Sequence, residues 1–356
     1  MTDTASSALD ALTSNAIVSK LGEWYGSFSD ARGALGLPNP GTIDNINREV
    51  QRDVFLNNLT FSGMRADLTK TFSAGQPLFQ VSHSLSIGSQ GMPPYQYAAM
   101  YGTSNLFCQA NIDNDFSLNG RFNARITPAL TLKTQMQLAP QQGAMMQPEL
   151  DYTGADFSAS IKAMNPSVLE GNLTGLFIGS FLQSVTPKLA LGLEGVWQRP
   201  TAAHGPEVMM SYAARFKSSD WIASAQLMAQ GGIQASYWRR LTEKVEAGVD
   251  ITLQFMGMSG AAAMMGQPKR EGVTTIGAKY DFKMSTFRAQ IDSQGKLGCL
   301  LEKRVAPPVQ VTFAGEIDHA KNQGKVGLAV TIEGAGDDAI MESQAEAAAN
   351  APPPPF

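Results

Sequence analysis

The sequence predicts an all-β, membrane-spanning protein: a closed barrel of about 19 strands with an N-terminal helix in its lumen. Three observations carry this expectation. Apolar and polar residues alternate with a period of two through most of the chain. The alternating runs are mostly about 8–11 residues long, the length a tilted strand needs to cross a bilayer. One face of each run carries amides and charges, and the other is clean enough to meet lipid.

The elements follow in order. Residues 1–36 read as an N-terminal arm, in which Ile17, Leu21, Trp24, Tyr25 and Phe28 recur at helical spacing. The opening MTDTASSALDALTSN has no basic stretch and no apolar core, so no secretory signal is expected. Residues 37–57 read as a second amphipathic helix. Ile43, Ile46, Val50 and Val54 mark its apolar stripe, Asp44, Arg48, Glu49 and Arg52 lie around the rest, and Pro40 and Thr42 supply its start. Placed directly before the first strand, this helix fits inside a lumen that otherwise has nothing to fill it. Residues 58–332 are the barrel. Its runs begin near Phe61, Leu78, Tyr95, Leu106, Phe116, Leu130, Met146, Phe157, Leu173 and Leu189, and continue near Val208, Trp221, Ile233, Val245, Thr274, Phe287, Leu297, Val309 and Val326. Between 245 and 253, for example, Val245, Ala247, Val249, Ile251 and Leu253 oppose Glu246, Gly248, Asp250 and Thr252. Residues 333–356 read as a short helix and a proline-rich tail.

Composition narrows the function classes. Charged residues make up 16% of the 356, hydrophobic residues 43%, and the net charge is −4. A nucleic-acid binder would need a basic excess. No window reaches the roughly 18 apolar residues of a membrane-spanning helix. A soluble β-sandwich also alternates, but its large apolar faces would each need a partner; closure in a bilayer leaves no edge and lets lipid cover them. Cys108 and Cys299 lie far apart and read as isolated thiols. His83, His204 and His319 are too scattered for a metal site, and no nucleophile elbow occurs. Gly334, Gly336 and Ala339 match a nucleotide-binding spacing, but Asp337 and Asp338 would repel a pyrophosphate there. Neither an enzyme nor a cofactor is expected.

The stretches GTIDNINREVQRDVF, NIDNDFSLNGR, SFLQSVTPKLALGLE, TTIGAKYDF and GEIDHAKNQGKVGL resemble the fungal channel-forming subunit of the translocase of the outer mitochondrial membrane, within the mitochondrial porin superfamily. The likeness runs from about residue 37 to 332. It implies a nineteen-stranded barrel integral to that membrane, a helix inside the pore, and parallel pairing of the first and last strands. It also implies a sorting signal in the last strand, with Lys325, Gly327, Leu328, Val330 and Ile332 in its slots. Implied partners are mitochondrial precursor proteins of the presequence and carrier types, a single-span receptor subunit, small single-helix subunits, another copy of the barrel, intermembrane-space chaperones and membrane lipid; no nucleic acid is among them.

A presequence is a basic amphipathic helix, so its path should offer negative charge without holding it too tightly. Alternation points Asp113, Asp151, Asp156, Glu194, Glu246, Asp250, Asp281, Asp292, Glu302, Glu316 and Asp318 inward, interspersed with inward bases such as Arg121, Lys133, Lys162 and Arg215. Hydrophobic precursors would need an apolar track, for which Ile43, Ile46, Val50, Met164, Met209, Ile222 and Met228 are the candidates. Each of these is equally suited to packing the helix on the wall. The competing class is a metabolite and ion pore of the voltage-dependent anion type, which would call for a net basic lining.

Overall fold

A computed structural model describes Gly33 and residues 35–334, apart from 57–58, 73–76, 90, 141–142, 168–172, 201–204, 229–230 and 256–269. The expected arm helix before residue 33 and the expected tail helix lie outside the described residues.

Nineteen strands form one sheet. They are Gly63–Thr71 (β1), Leu78–Ile87 (β2), Tyr95–Gly102 (β3), Leu106–Asp113 (β4), Leu118–Arg125 (β5), Leu130–Ala139 (β6), Gly143–Thr153 (β7), Phe157–Ser167 (β8), Thr174–Ser184 (β9) and Leu189–Arg199 (β10). The series continues with Glu207–Lys217 (β11), Trp221–Met228 (β12), Gly232–Thr242 (β13), Val245–Phe255 (β14), Arg270–Asp281 (β15), Ser285–Asp292 (β16), Lys296–Ala306 (β17), Val309–Asp318 (β18) and Gln323–Gly334 (β19). Each strand pairs antiparallel with the next. β1 then closes on β19 in parallel, from Gly63 opposite Gly327 to Lys70 opposite Gly334. An odd number of alternating strands leaves the first and last pointing the same way, so closure requires this parallel seam.

The register separates the two faces. On the outer face Ile276, Phe313 and Val326 remain 51%, 50% and 78% exposed, a burden in water that lipid removes. Among the described residues no helix is long and apolar enough to cross a membrane; the strands do so. Phe116 departs from the expected alternation. It lies in the turn before β5 at φ 57°, where its N–H donates to the Asp113 carbonyl at 3.1 Å. The Asp113 side chain also caps that turn, so the chain cannot extend before Leu118.

Residues 37–56 and 59–61 thread the lumen. They enter at the mouth formed by the β7–β8 and β9–β10 turns, where Asn39 Nδ2 donates to the carbonyls of Gly154 (2.8 Å) and Phe157 (2.9 Å), and Ser184 Oγ donates to Pro38 O (2.7 Å). They leave at the opposite mouth, where the Leu56 N–H donates to Gln290 Oε1 at 2.8 Å. The expected regular helix over 37–57 is replaced by a 3-10 turn at Ile43–Asn45 and a π-helical turn at Glu49–Val54. The reason is burial in separate pockets. Val54, Phe55 and Leu56 are all between 0% and 2% exposed, Val54 and Phe55 enclosed with Ile222 and Trp238 and Leu56 with Leu300 and Ala314. The helical turn stops at Val54, and an extended Phe55 lets Leu56 reach the second pocket.

Candidate functional site

The core of this protein is the contact between the internal segment and the barrel wall. The wall makes room for it with glycines. A Cβ on Gly192 would lie 2.9 Å from Ile43 Cδ1, on Gly248 3.1 Å from Val50 Cγ1, on Gly277 2.7 Å from the Phe55 ring, and on Gly298 3.1 Å from Leu56 Cδ1. Four inward glycines thus form a row of sockets from β10 to β17 for Ile43, Val50, Phe55 and Leu56. Ion pairs orient the segment: Arg215 on β11 donates to Glu49 Oε1 at 2.5 Å and to Pro40 O at 3.2 Å, and Lys162 on β8 pairs with Asp44.

This packing decides the fate of the expected apolar track. Ile43, Ile46, Val50 and Ile222 are 5%, 1%, 2% and 7% exposed, enclosed with Leu182, Ala190, Ala213 and Trp238. They are fixed as helix–wall packing and are unavailable to a passing chain. Met209 and Met228 remain half-buried on the inner face, lining a cavity of about 270 Å³ with Glu194. Met164 lines a different cavity, on β4–β8.

The expected acidic stations also divide. Asp151 is buried and paired with Lys133, which reaches Glu149 at 3.3 Å as well. Glu246 lies 3.7 Å from Arg240, and Asp281 lies 2.8 Å from Lys279. Asp250 is buried and accepts from Gln234 and Thr252, all at 3.3 Å. Asp113, Asp292 and Asp318 cap turns at the far mouth, accepting backbone N–H groups from Ser117 (2.9 Å), Gln294 and Lys321 (3.0 Å) respectively. Asp156 is not on a strand face; it sits in the β7–β8 turn, because β7 ends at Thr153. Glu194, Glu302 and Glu316 remain: half-buried on the inner face, and without an ion pair among the described residues. Among the described residues no three metal-binding side chains converge.

Several functional residues were missed in the sequence. Glu149 shares its alternation with Asp151 and carried a signal. Asn39 and the four socket glycines carried none, since nothing local distinguishes them. In the last strand, Lys325 and Gly327 face inward and Leu328, Val330 and Ile332 outward, as the alternation of β19 dictates. Gly327 is filled from the lumen side by Phe61, whose ring atoms would lie 2.7 Å from an added Cβ.

A closed barrel with an apolar exterior, a polar lumen and a fixed internal segment is a membrane channel. The eukaryotic porin family profile matches residues 39–327. The mitochondrial import receptor subunit tom40 of Neurospora crassa is 52% identical over 339 residues, covering 95% of both chains. The Saccharomyces cerevisiae subunit TOM40 is 45% identical over 340 residues, covering 93% of this chain and 88% of its own. A Homo sapiens homolog is 28% identical over 312 residues, covering 84% and 80%. The chain belongs to the eukaryotic porin family, within its Tom40 branch. It is an integral protein of the mitochondrial outer membrane and not an enzyme.

Proposed function

We propose that the chain is a protein-conducting channel, admitting unfolded mitochondrial precursors through the space beside its internal segment. The observation that carries this reading is the 52% identity, over 95% of the chain, to a mitochondrial import receptor subunit. The lumen supports it. Glu194 on β10, Glu302 on β17 and Glu316 on β18 are unpaired carboxylates on separate parts of the wall, and each would attract a basic presequence weakly and locally. The paired and turn-capping acids contribute to the potential of the lumen but already have partners. Met164, Met209 and Met228 offer adaptable apolar contact for hydrophobic precursors. The outer face is free for the single-helix subunits, a receptor helix, lipid or another copy of the barrel, and the N-terminal arm is the part that would meet intermembrane-space chaperones.

The test is ion selectivity in a planar bilayer, with and without a basic presequence peptide. Cation preference and voltage-dependent block are expected, and Glu194→Gln, Glu302→Gln and Glu316→Gln together weaken the block. Anion preference without block would move the reading to a metabolite pore of the voltage-dependent anion type.

A further inference from the structure

The inner wall of β4–β7 carries a surface of neutral amides around one cation, Arg121. Two rows cross it at right angles to the strands. Asn111, Asn119 and Gln137 are register partners in one row; Gln109, Arg121, Gln135 and Gln147 are partners in the next. They line a cavity of about 280 Å³ that is open to the lumen. The described part of the internal segment packs on β8–β17, away from this face. The amide groups are largely unspent. Gln109 donates to Asn111 at 3.4 Å, while Asn119, Gln135, Gln137 and Gln147 have no hydrogen-bond partner among the described residues.

We infer that this surface binds the main chain of an extended polypeptide, whatever its side chains. The inference rests on the import-channel reading and names what the channel recognises. Along each wall strand, successive inward residues recur about every 6.8 Å, and so do the outward-pointing N–H and C=O groups on one edge of an extended chain. A segment lying along β4 or β6 therefore meets two amides one repeat apart, Gln109 and Asn111 or Gln135 and Gln137. A primary amide both donates and accepts, so a shift of the segment exchanges one pairing for another of equal kind. The amides, unlike Arg121 among them, avoid the tight hold of a charge-assisted bond. Such a track holds a chain without stopping it, and it serves precursors that lack basic residues.

The experiment is residence time in the full-length chain in planar bilayers. The probes are an uncharged 30-residue Gly–Ser peptide and a polysarcosine of equal length, which has no backbone N–H. The wild-type channel should hold the Gly–Ser peptide several-fold longer than polysarcosine. Asn119→Leu with Gln135→Met, Gln137→Met and Gln147→Met should shorten the Gly–Ser residence about tenfold, as the loss of one to two hydrogen bonds predicts. Exchanging the same positions between Asn and Gln should leave it within about twofold. Equal residence of the two probes in the wild-type channel overturns the inference without any variant, and so does an apolar variant that keeps wild-type residence. A basic amphipathic peptide run in parallel separates the two readings. Its failure to block the wild-type channel counts against import alone, whereas the amide comparison stands on its own.

Discussion

Replacing Gly277 with alanine tests whether the glycine sockets hold the internal segment in place. The added Cβ would lie 2.7 Å and 2.9 Å from two atoms of the Phe55 ring, and 3.3 Å from the Ala289 carbonyl oxygen. Carbon atoms rest about 3.5–4.0 Å apart, so the ring must retreat by about 1 Å. It has nowhere to go, because Phe55 is 2% exposed and enclosed with Val50, Val54, Ile222 and Trp238. Overpacking of this kind costs about 1–3 kcal/mol. If the cost falls on the docked segment, the ratio of docked to released states drops by about 5–150-fold. Two readouts follow: a lower thermal midpoint of the purified chain, and more frequent transitions in single-channel recordings. Gly195→Ala is the control, since that outward glycine has nothing within 4 Å of an added Cβ. Phe55→Leu on top of Gly277→Ala should restore part of both readouts, because the smaller side chain vacates the space. If Gly277→Ala and Gly195→Ala behave alike in both assays, the sockets do not hold the segment and the reasoning fails.

Three further outcomes are expected. Glu49→Gln removes the carboxylate from Arg215, whose side chain is only 11% exposed and would keep Pro40 O as its remaining partner; a thermal midpoint lowered by the equivalent of about 1–3 kcal/mol is expected, with no change for Glu207→Gln at the exposed start of β11. In the last strand, Gly327→Ala collides with Phe61 and should impair the barrel itself, seen as lost conductance of protein refolded without any cellular machinery. Lys325→Gln should refold and conduct normally, yet insert poorly into isolated mitochondria if Lys325 serves a sorting signal; normal insertion would remove it from that signal.

Much of the barrel was legible because period is a local property. Runs expected near Leu78, Tyr95, Leu106, Leu130, Phe157, Leu189, Trp221, Val245 and Val309 are the first residues of β2, β3, β4, β6, β8, β10, β12, β14 and β18. Alternation marks the two faces wherever one of them meets lipid. The exceptions have local causes that are weak in sequence. Phe116 is apolar and in phase, yet the Asp113 side chain organises the turn around it. The internal segment has helical spacing, yet its last apolar residues seat in two separate pockets, Phe55 beside Trp238 and Leu56 beside Leu300, and the chain extends at Phe55 to reach both.

The lumen was legible as a surface and illegible as a set of sites. Alternation places Asp151 and Glu194 on the same inner face and says nothing more about either. What separates them is cross-strand register: Asp151 has Lys133 within reach across the β6–β7 pair, whereas no base on β9 or β11 pairs with Glu194. Register depends on the lengths and closures of successive turns, and an error of one step would exchange every partner. The sockets depend on it twice over, since a glycine on β15 has meaning only when Phe55 arrives opposite it from a segment more than two hundred residues earlier in the chain. Residues that act alone on a face are therefore within reach of sequence reasoning. Those that act by opposing another strand, such as Asn39 under Gly154 or Gly277 under Phe55, become visible only once the barrel has closed.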